Sequence, residues 1–347
     1  MPPRDPESTD HHPRGTLEAA WDALDAGDVA TARRRAARLD PNEAETLLLL
    51  AACCREEDDV AQATTLLKRA AKADPEWATP ELWIAELLAV QPETTEEALR
   101  HAERALDLAD EEDEYLSALT LKAGLEAELG EVDEAKRTLA DLPPPDVVLG
   151  DAELALEIAD LYLAVGEPAA ARERLRTLTG AAPGLADAWH ALGCAAAELE
   201  DDREMVEAWK RAWTLDSAPR PAGAAPETLT EAEVAAVAEE ALAELPQRAR
   251  ALLRDVPIVV AELPAEADVG AGLDPRALGL FSGTSYPDMP NVGGQPGLTQ
   301  IVLFRQNLER VAASPEELRE EIRTTLLHET GHFFGMDEAD LEGAGLG

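Results

Sequence analysis

His328 and His332 stand four residues apart in His328-Glu329-Thr330-Gly331-His332, an H-E-x-x-H motif. On a helix that spacing projects both imidazoles from one face about one turn apart, which suits them to grip a single Zn²⁺. Glu329 follows the first imidazole, where its carboxylate can take a proton from a metal-activated water instead of binding the metal. The chemistry implied is metal-assisted hydrolysis. A catalytic zinc takes three protein ligands plus water, and no histidine follows His332. Unless the upstream repeats donate one, the third ligand is therefore expected to be a carboxylate, drawn from Asp337, Glu338, Asp340 and Glu342. Glu338, six residues beyond His332, has the H-E-x-x-H-x-x-G-x-x-ligand spacing and is preferred, with Asp340 next.

These residues need a rigid helix. Ser314-Pro315-Glu316-Glu317 combines a capping box with proline at the first helical position, so the start is well marked. The helix is expected to run to Phe334 and stop at Gly335, a residue suited to a left-handed cap. Gly331, inside it, costs about 1 kcal/mol relative to Ala and points to a close approach there. Val256-Pro257-Ile258-Val259-Val260 and Thr299 to Phe304 read as strands, with a short strand near Leu280-Phe281. The strand at Ile301 to Phe304 is expected at the sheet edge above the metal helix, holding an extended substrate by strand addition. Tyr286 and Arg305 are considered as oxyanion stabilisers, with packing or surface roles the weightier expectation. Gly293-Gly294-Gln295-Pro296-Gly297 lacks the context of a phosphate loop and reads as a turn or flap.

Upstream the pattern differs. From about Leu17 to Leu215 the chain is a train of short amphipathic helices, and 34 residues separate both Leu175 from Trp209 and Leu178 from Ala212. Ala63, Leu67, Ala70 and Pro75 take small, bulky, small and breaker positions in one unit. Trp189, Leu192 and Gly193 form W-x-x-L-G in the last, completed by Trp209 and Ala212. Turn signals recur at Gly27-Asp28, Gly130-Glu131 and Gly166-Glu167. This pattern resembles the tetratricopeptide repeat over roughly 200 residues, or about six helical pairs. Such hairpins bury their apolar faces by stacking, and the resulting solenoid presents a concave face to a protein or peptide. Cys53, Cys54, Cys194, His101 and His190 fall on repeat helices and are expected to be packing residues.

The division expected is a disordered tail at 1–14, repeats at 15–217, a proline-rich linker at 218–227 and an α+β domain at 228–347. With 71 acidic and 30 basic residues in 347, the formal charge is −41, which argues against nucleic acid and anionic membrane surfaces as partners. A basic or extended polypeptide is the partner that charge favours. Hydrophobic residues make up 46% of the chain, enough for packed cores, and 4% are aromatic, so those cores rest on Ala, Leu and Val. No apolar run approaches the roughly 18 residues of a membrane span. Met1-Pro2-Pro3-Arg4-Asp5-Pro6 lacks the apolar core of a signal peptide, and three cysteines give no disulfide framework. A cytoplasmic location is expected.

The C-terminal part resembles the bacterial zincin-like metallopeptidases. The resemblance runs from about Leu245 to Leu341 and rests on Val256-Pro257-Ile258-Val259-Val260, Leu278-Gly279-Leu280-Phe281-Ser282-Gly283, Ile301-Val302-Leu303-Phe304-Arg305, Glu316 to Ile322 and His328 to Gly335. It implies a minimal zincin fold, peptide-bond hydrolysis, His328 and His332 as metal ligands and Glu329 as general base. Glu338 stands where members of the family commonly have Asp. The fold expected is thus an all-α tetratricopeptide solenoid followed by a small α+β zincin-like domain. The function expected is a zinc metallopeptidase whose repeats recruit, present or restrain a protein substrate or regulator. The alternative is a non-catalytic repeat scaffold with a structural or degenerate zinc site, a role in which Glu329 would have no use.

Overall fold

The computed structural model describes residues 13–147, 150–218, 229–283 and 299–337. It divides into two compact units, Met1–Thr177 and Leu178–Gly347. The expected tail and linker fall largely outside the described residues.

The first unit is built from successive helices: α1 (Pro13–Asp25), α2 (Val29–Ala36), α3 (Ala44–Arg55), α4 (Val60–Ala73), α5 (Ala78–Ala89), α6 (Thr95–Leu108), α7 (Glu112–Glu128), α8 (Val132–Leu139), α9 (Ala152–Ala164) and α10 (Pro168–Ala181), whose last residues enter the second unit. Consecutive helices pack as hairpins, α1 on α2, α3 on α4, α5 on α6 and α7 on α8. Gly27, Gly130 and Gly166 take φ of +76°, +77° and +72° at the turns between paired helices, a region open to glycine at little cost. Asp28 and Asp59 cap α2 and α4 by accepting from the backbone N–H groups of Thr31 and Gln62. Small and bulky residues alternate in the core as the repeat requires: Leu47, Leu48, Ala51, Ala63, Leu67, Ala70 and Ile84 form one buried cluster. Cys53 and Cys54 are buried packing residues, as expected. His101 is not simply packed, since its Nδ1 lies 2.5 Å from the buried Glu81 carboxylate.

The second unit opens with another hairpin, α11 (Ala186–Glu198) on α12 (Asp202–Asp216). Gly193 lies against the Trp209 indole, so close that a Cβ would stand 2.1 Å from its Cδ1. Then come α13 (Glu231–Glu244), α14 (Gln247–Leu253), β1 (Ile258–Ala261), α15 (Glu266–Val269), β2 (Gly279–Ser282), β3 (Gln300–Phe304), α16 (Arg305–Val311) and α17 (Pro315–Phe333). The capping box at Thr230 and Glu233 that starts α13 is present. So is the cap of α17, where the Ser314 side chain accepts the Glu317 N–H. Trp213 Nε1–H donates to the Pro264 carbonyl at 2.9 Å and ties α12 to the segment before α15.

The three strands are ordered β1-β3-β2, with β1 parallel and β2 antiparallel to β3. The strand expected at the edge is therefore the central one. Its Ile301, Val302, Leu303 and Phe304 are all buried, and both flanks are paired. A continuous apolar run suits that position, because a central strand is covered on both faces. Among the described residues the edges are β1 and β2. The core lies between the sheet and two helices: Val234, Val237, Ala238 and Ala241 of α13, Ile301 and Leu303 of β3, and Leu318, Ile322 and Leu326 of α17. Among the described residues no helix is long and apolar enough to cross a membrane.

Candidate metal centre and its surroundings

His328, Glu329 and His332 sit in the last two turns of α17, beside β2. The helix is held from its cap onward by Leu318, Ile322 and Leu326, all buried under the sheet, and ends on Phe333, 1% exposed. Phe333 meets Phe281 of β2 edge to face, ring centroids 6.0 Å apart, which locks helix to strand next to the motif. Gly335 takes φ of +82° just beyond the helix, the left-handed cap expected there.

His328 Nε2 and His332 Nε2 approach each other to 3.0 Å, with the rings near perpendicular. Two Zn–N bonds of about 2.05 Å at a tetrahedral angle hold their nitrogens about 3.3 Å apart, so the pair fits a zinc ion with little adjustment. His332 Nδ1 lies 3.2 Å from the Met336 carbonyl. That carbonyl accepts the Nδ1–H, which leaves Nε2 as the ring's acceptor nitrogen, the tautomer a metal ligand needs. Of the expected third ligands, Asp337 is exposed at the end of the described chain, while Glu338, Asp340 and Glu342 lie outside the described residues.

Glu329 is only 7% exposed, and its Oε2 accepts the backbone N–H of Phe281 at 2.5 Å. The ladder explains why that N–H is available. Phe304 N–H donates to the Leu278 carbonyl, and the register pairs Leu280 with Val302 and Ser282 with Gln300. Alternation then turns the backbone groups of Gly279 and Phe281 away from β3, toward the outer edge. Gly279 supplies the room: a Cβ there would stand 2.7 Å from Thr325 Cγ2 and 2.9 Å from Glu329 Cγ. Neither contact was legible in the sequence, where Phe281 and Glu329 are 48 residues apart.

Arg305 does not serve this site. Its guanidinium pairs with Glu262, Nε to Oε1 at 3.1 Å and Nη2 to Oε2 at 2.6 Å, and with Glu309. These partners raise its pKa, and the Arg305 hydrogen bond in turn holds the Glu262 carboxyl below its ordinary range. Tyr286 and the Gly293 to Gly297 stretch lie outside the described residues.

His190 and Cys194, expected to be packing residues, instead meet a polar partner. His190 Nε2 lies 2.9 Å from Asp274 Oδ1, and Cys194 Sγ lies 3.8 Å from the same nitrogen. Burial opposes the imidazolium, yet the Asp274 carboxylate and the Cys194 sulfur outweigh it and raise His190 to about 9. The i, i+4 spacing of His190 and Cys194 was the one sequence signal available.

Residues 253–346 match the zincin-like metallopeptidase family. No curated protein matches the chain. Solved structures similar to it include PilW, a type IV pilus biogenesis factor, at 16% identity and TM-score 0.49, over 61% of this chain and 97% of that one. PilF of Pseudomonas aeruginosa is 18% identical at TM-score 0.49, over 60% and 94%. YrrB, a tetratricopeptide protein with a peptide-binding site, is 18% identical at TM-score 0.39, over 57% and 93%. The chain thus joins an array of helical hairpins to a part that matches the zincin-like metallopeptidase family.

Proposed function

We propose that this protein is a zinc-dependent metallopeptidase that hydrolyses peptide bonds in the cytoplasm. In this reading the zincin-like part, residues 228–347, does the chemistry. The repeats, residues 15–217, recruit or present a protein or peptide substrate or regulator. The observation that carries the proposal is the convergence of His328 Nε2 and His332 Nε2 at 3.0 Å beside a buried Glu329. These two imidazoles and Glu338 would hold the metal, with Asp340 and Asp337 the other candidates for the third place. A bound zinc supplies Lewis acidity, polarising the scissile carbonyl and acidifying a water.

The remaining work falls to the chain itself. Glu329 accepts the proton of the attacking water and passes it to the leaving amine. The Phe281 N–H fixes the direction of that carboxylate, which is itself buried. The outer edge of β2 offers the backbone groups of Gly279 and the Phe281 carbonyl to an extended substrate, the role first expected of β3. An intact general base favours hydrolysis over a purely structural zinc site.

The test is zinc content and cleavage of a diverse peptide library by the full chain and by Glu329→Gln. Zinc in both with cleavage by the parent alone supports the proposal. Zinc in the parent with no cleavage of any peptide overturns it.

A further inference from the structure

Helix α11 carries a second pair of metal-binding donors one turn apart. His190 and Cys194 repeat the i, i+4 spacing of His328 and His332, so both project from one face. Asp274, from the segment between α15 and β2, meets them there. One atom from each residue, an imidazole nitrogen, a thiol sulfur and a carboxylate oxygen, lies within 4.8 Å of the other two. We propose that His190, Cys194 and Asp274 bind a divalent metal of the zinc class. Such an ion would cross-link α11 to the segment that leads into β2.

The distances are compatible with that assignment. At 3.8 Å, Cys194 Sγ stands too far from His190 Nε2 for a strong hydrogen bond. Tetrahedral zinc with bonds of about 2.3 Å to sulfur and 2.05 Å to nitrogen separates those atoms by about 3.6 Å. The His190 to Asp274 distance of 2.9 Å needs to open by only about 0.4 Å to admit the ion. Mixed nitrogen, sulfur and oxygen donors match zinc or cobalt rather than calcium or magnesium, which favour oxygen alone. A thiolate and a carboxylate together balance a 2+ charge.

The surroundings hold the carboxylate ready. Asp274 Oδ1 accepts the Arg276 backbone N–H at 2.7 Å, and the buried Asn307 side chain donates to the Pro275 and Ala277 carbonyls at 2.9 and 2.7 Å. Supports of this kind orient ligands in metal sites. The nearby Arg276 does not oppose a cation with an uncompensated charge, because it pairs with Asp187 at 2.6 Å and with Asp216 at 3.1 Å.

The inference is independent of the peptidase reading, and cobalt separates the two. Co²⁺ bound by thiolate shows a sulfur-to-metal charge-transfer absorption in the near ultraviolet, which a site of histidine and carboxylate cannot give. The full chain, stripped and titrated with Co²⁺, is expected to take up two equivalents and show that absorption. Cys194→Ser should remove the absorption and one equivalent. The double variant His328→Ala/His332→Ala should keep the absorption and lose the other equivalent. Asp274→Asn, nearly isosteric, should weaken cobalt at the thiolate site by about tenfold or more. A parent without the absorption, or a Cys194→Ser protein that retains it, overturns the proposal.

Discussion

The main-chain N–H of Phe281 donates to Glu329 Oε2 at 2.5 Å, so a strand rather than a side chain aims the glutamate of the H-E-x-x-H motif, the proposed general base. At its own position only proline removes a backbone donor, and it would disturb the strand as well. The contact is therefore best tested through the glycine that makes room for it.

Gly279→Ala should disturb Glu329 without touching a proposed ligand. The added Cβ meets Thr325 Cγ2 at 2.7 Å and Glu329 Cγ at 2.9 Å, distances that force a shift. Overpacking of this kind costs about 1–3 kcal/mol. Denaturant unfolding should show that loss, and kcat should fall while zinc content holds. Parental stability and kcat would mean the strand does not constrain the carboxylate.

Glu329→Gln keeps the shape and removes the proposed base. Zinc binding is expected to persist while kcat drops by about 10²- to 10⁴-fold, the usual share of a general base. Metal analysis and single-turnover cleavage on the same sample check both halves.

His328→Ala and His332→Ala should each remove one equivalent of zinc, measured by metal content after dialysis. Glu338→Ala should weaken it. Unchanged affinity in that variant would pass the third place to Asp340 or Asp337.

Gly193→Ala probes the last hairpin. The indole of Trp209 leaves no space for the new methyl group, whose carbon would stand 2.1 Å from Cδ1. The expected loss is about 1–3 kcal/mol. Trp209→Ala, which empties the same contact, should cost about 3–5 kcal/mol. Thermal unfolding followed by circular dichroism measures both.

The Glu262 and Arg305 pair sets a modest pH dependence. The Arg305 hydrogen bond lowers the Glu262 pKa in the folded chain. Its stabilisation is therefore complete above the unfolded value of about 4.3 and disappears as pH falls through the lowered one. Glu262 is 57% exposed, so solvent screens the pair. Glu262→Gln should cost less than about 1 kcal/mol at neutral pH. In strong acid it should cost nothing, as urea titrations at the two pH values would show.

What the sequence revealed was what is local. The cap at Ser314, the turn at Gly335 and the i, i+4 histidines depend on residues within a few positions of one another, and each stands where expected. The β-branched runs at β1 and β3 announced strands by composition. Strand order is not local: nothing in Ile301-Val302-Leu303-Phe304 says that two partners flank it, although its lack of polar alternation was a hint. The short α14, α15 and α16 span two turns or fewer and leave too little periodicity to recognise. His190 and Asp274 are 84 residues apart, so their meeting depends on packing that no window of sequence contains.

The compact second unit starts at Leu178 and so includes the α11–α12 hairpin. Trp213 reaches the Pro264 carbonyl, and Asp216 accepts from both Arg276 and Arg310, so this hairpin is stitched to the zincin-like part by indole and guanidinium contacts. For gene fusion or shuffling, a cut made before α9 leaves α10, which crosses residue 178, and these attachments whole. Whole hairpins can be gained or lost before that point while these attachments stay intact, so the proposed recognition and the proposed catalysis could vary separately.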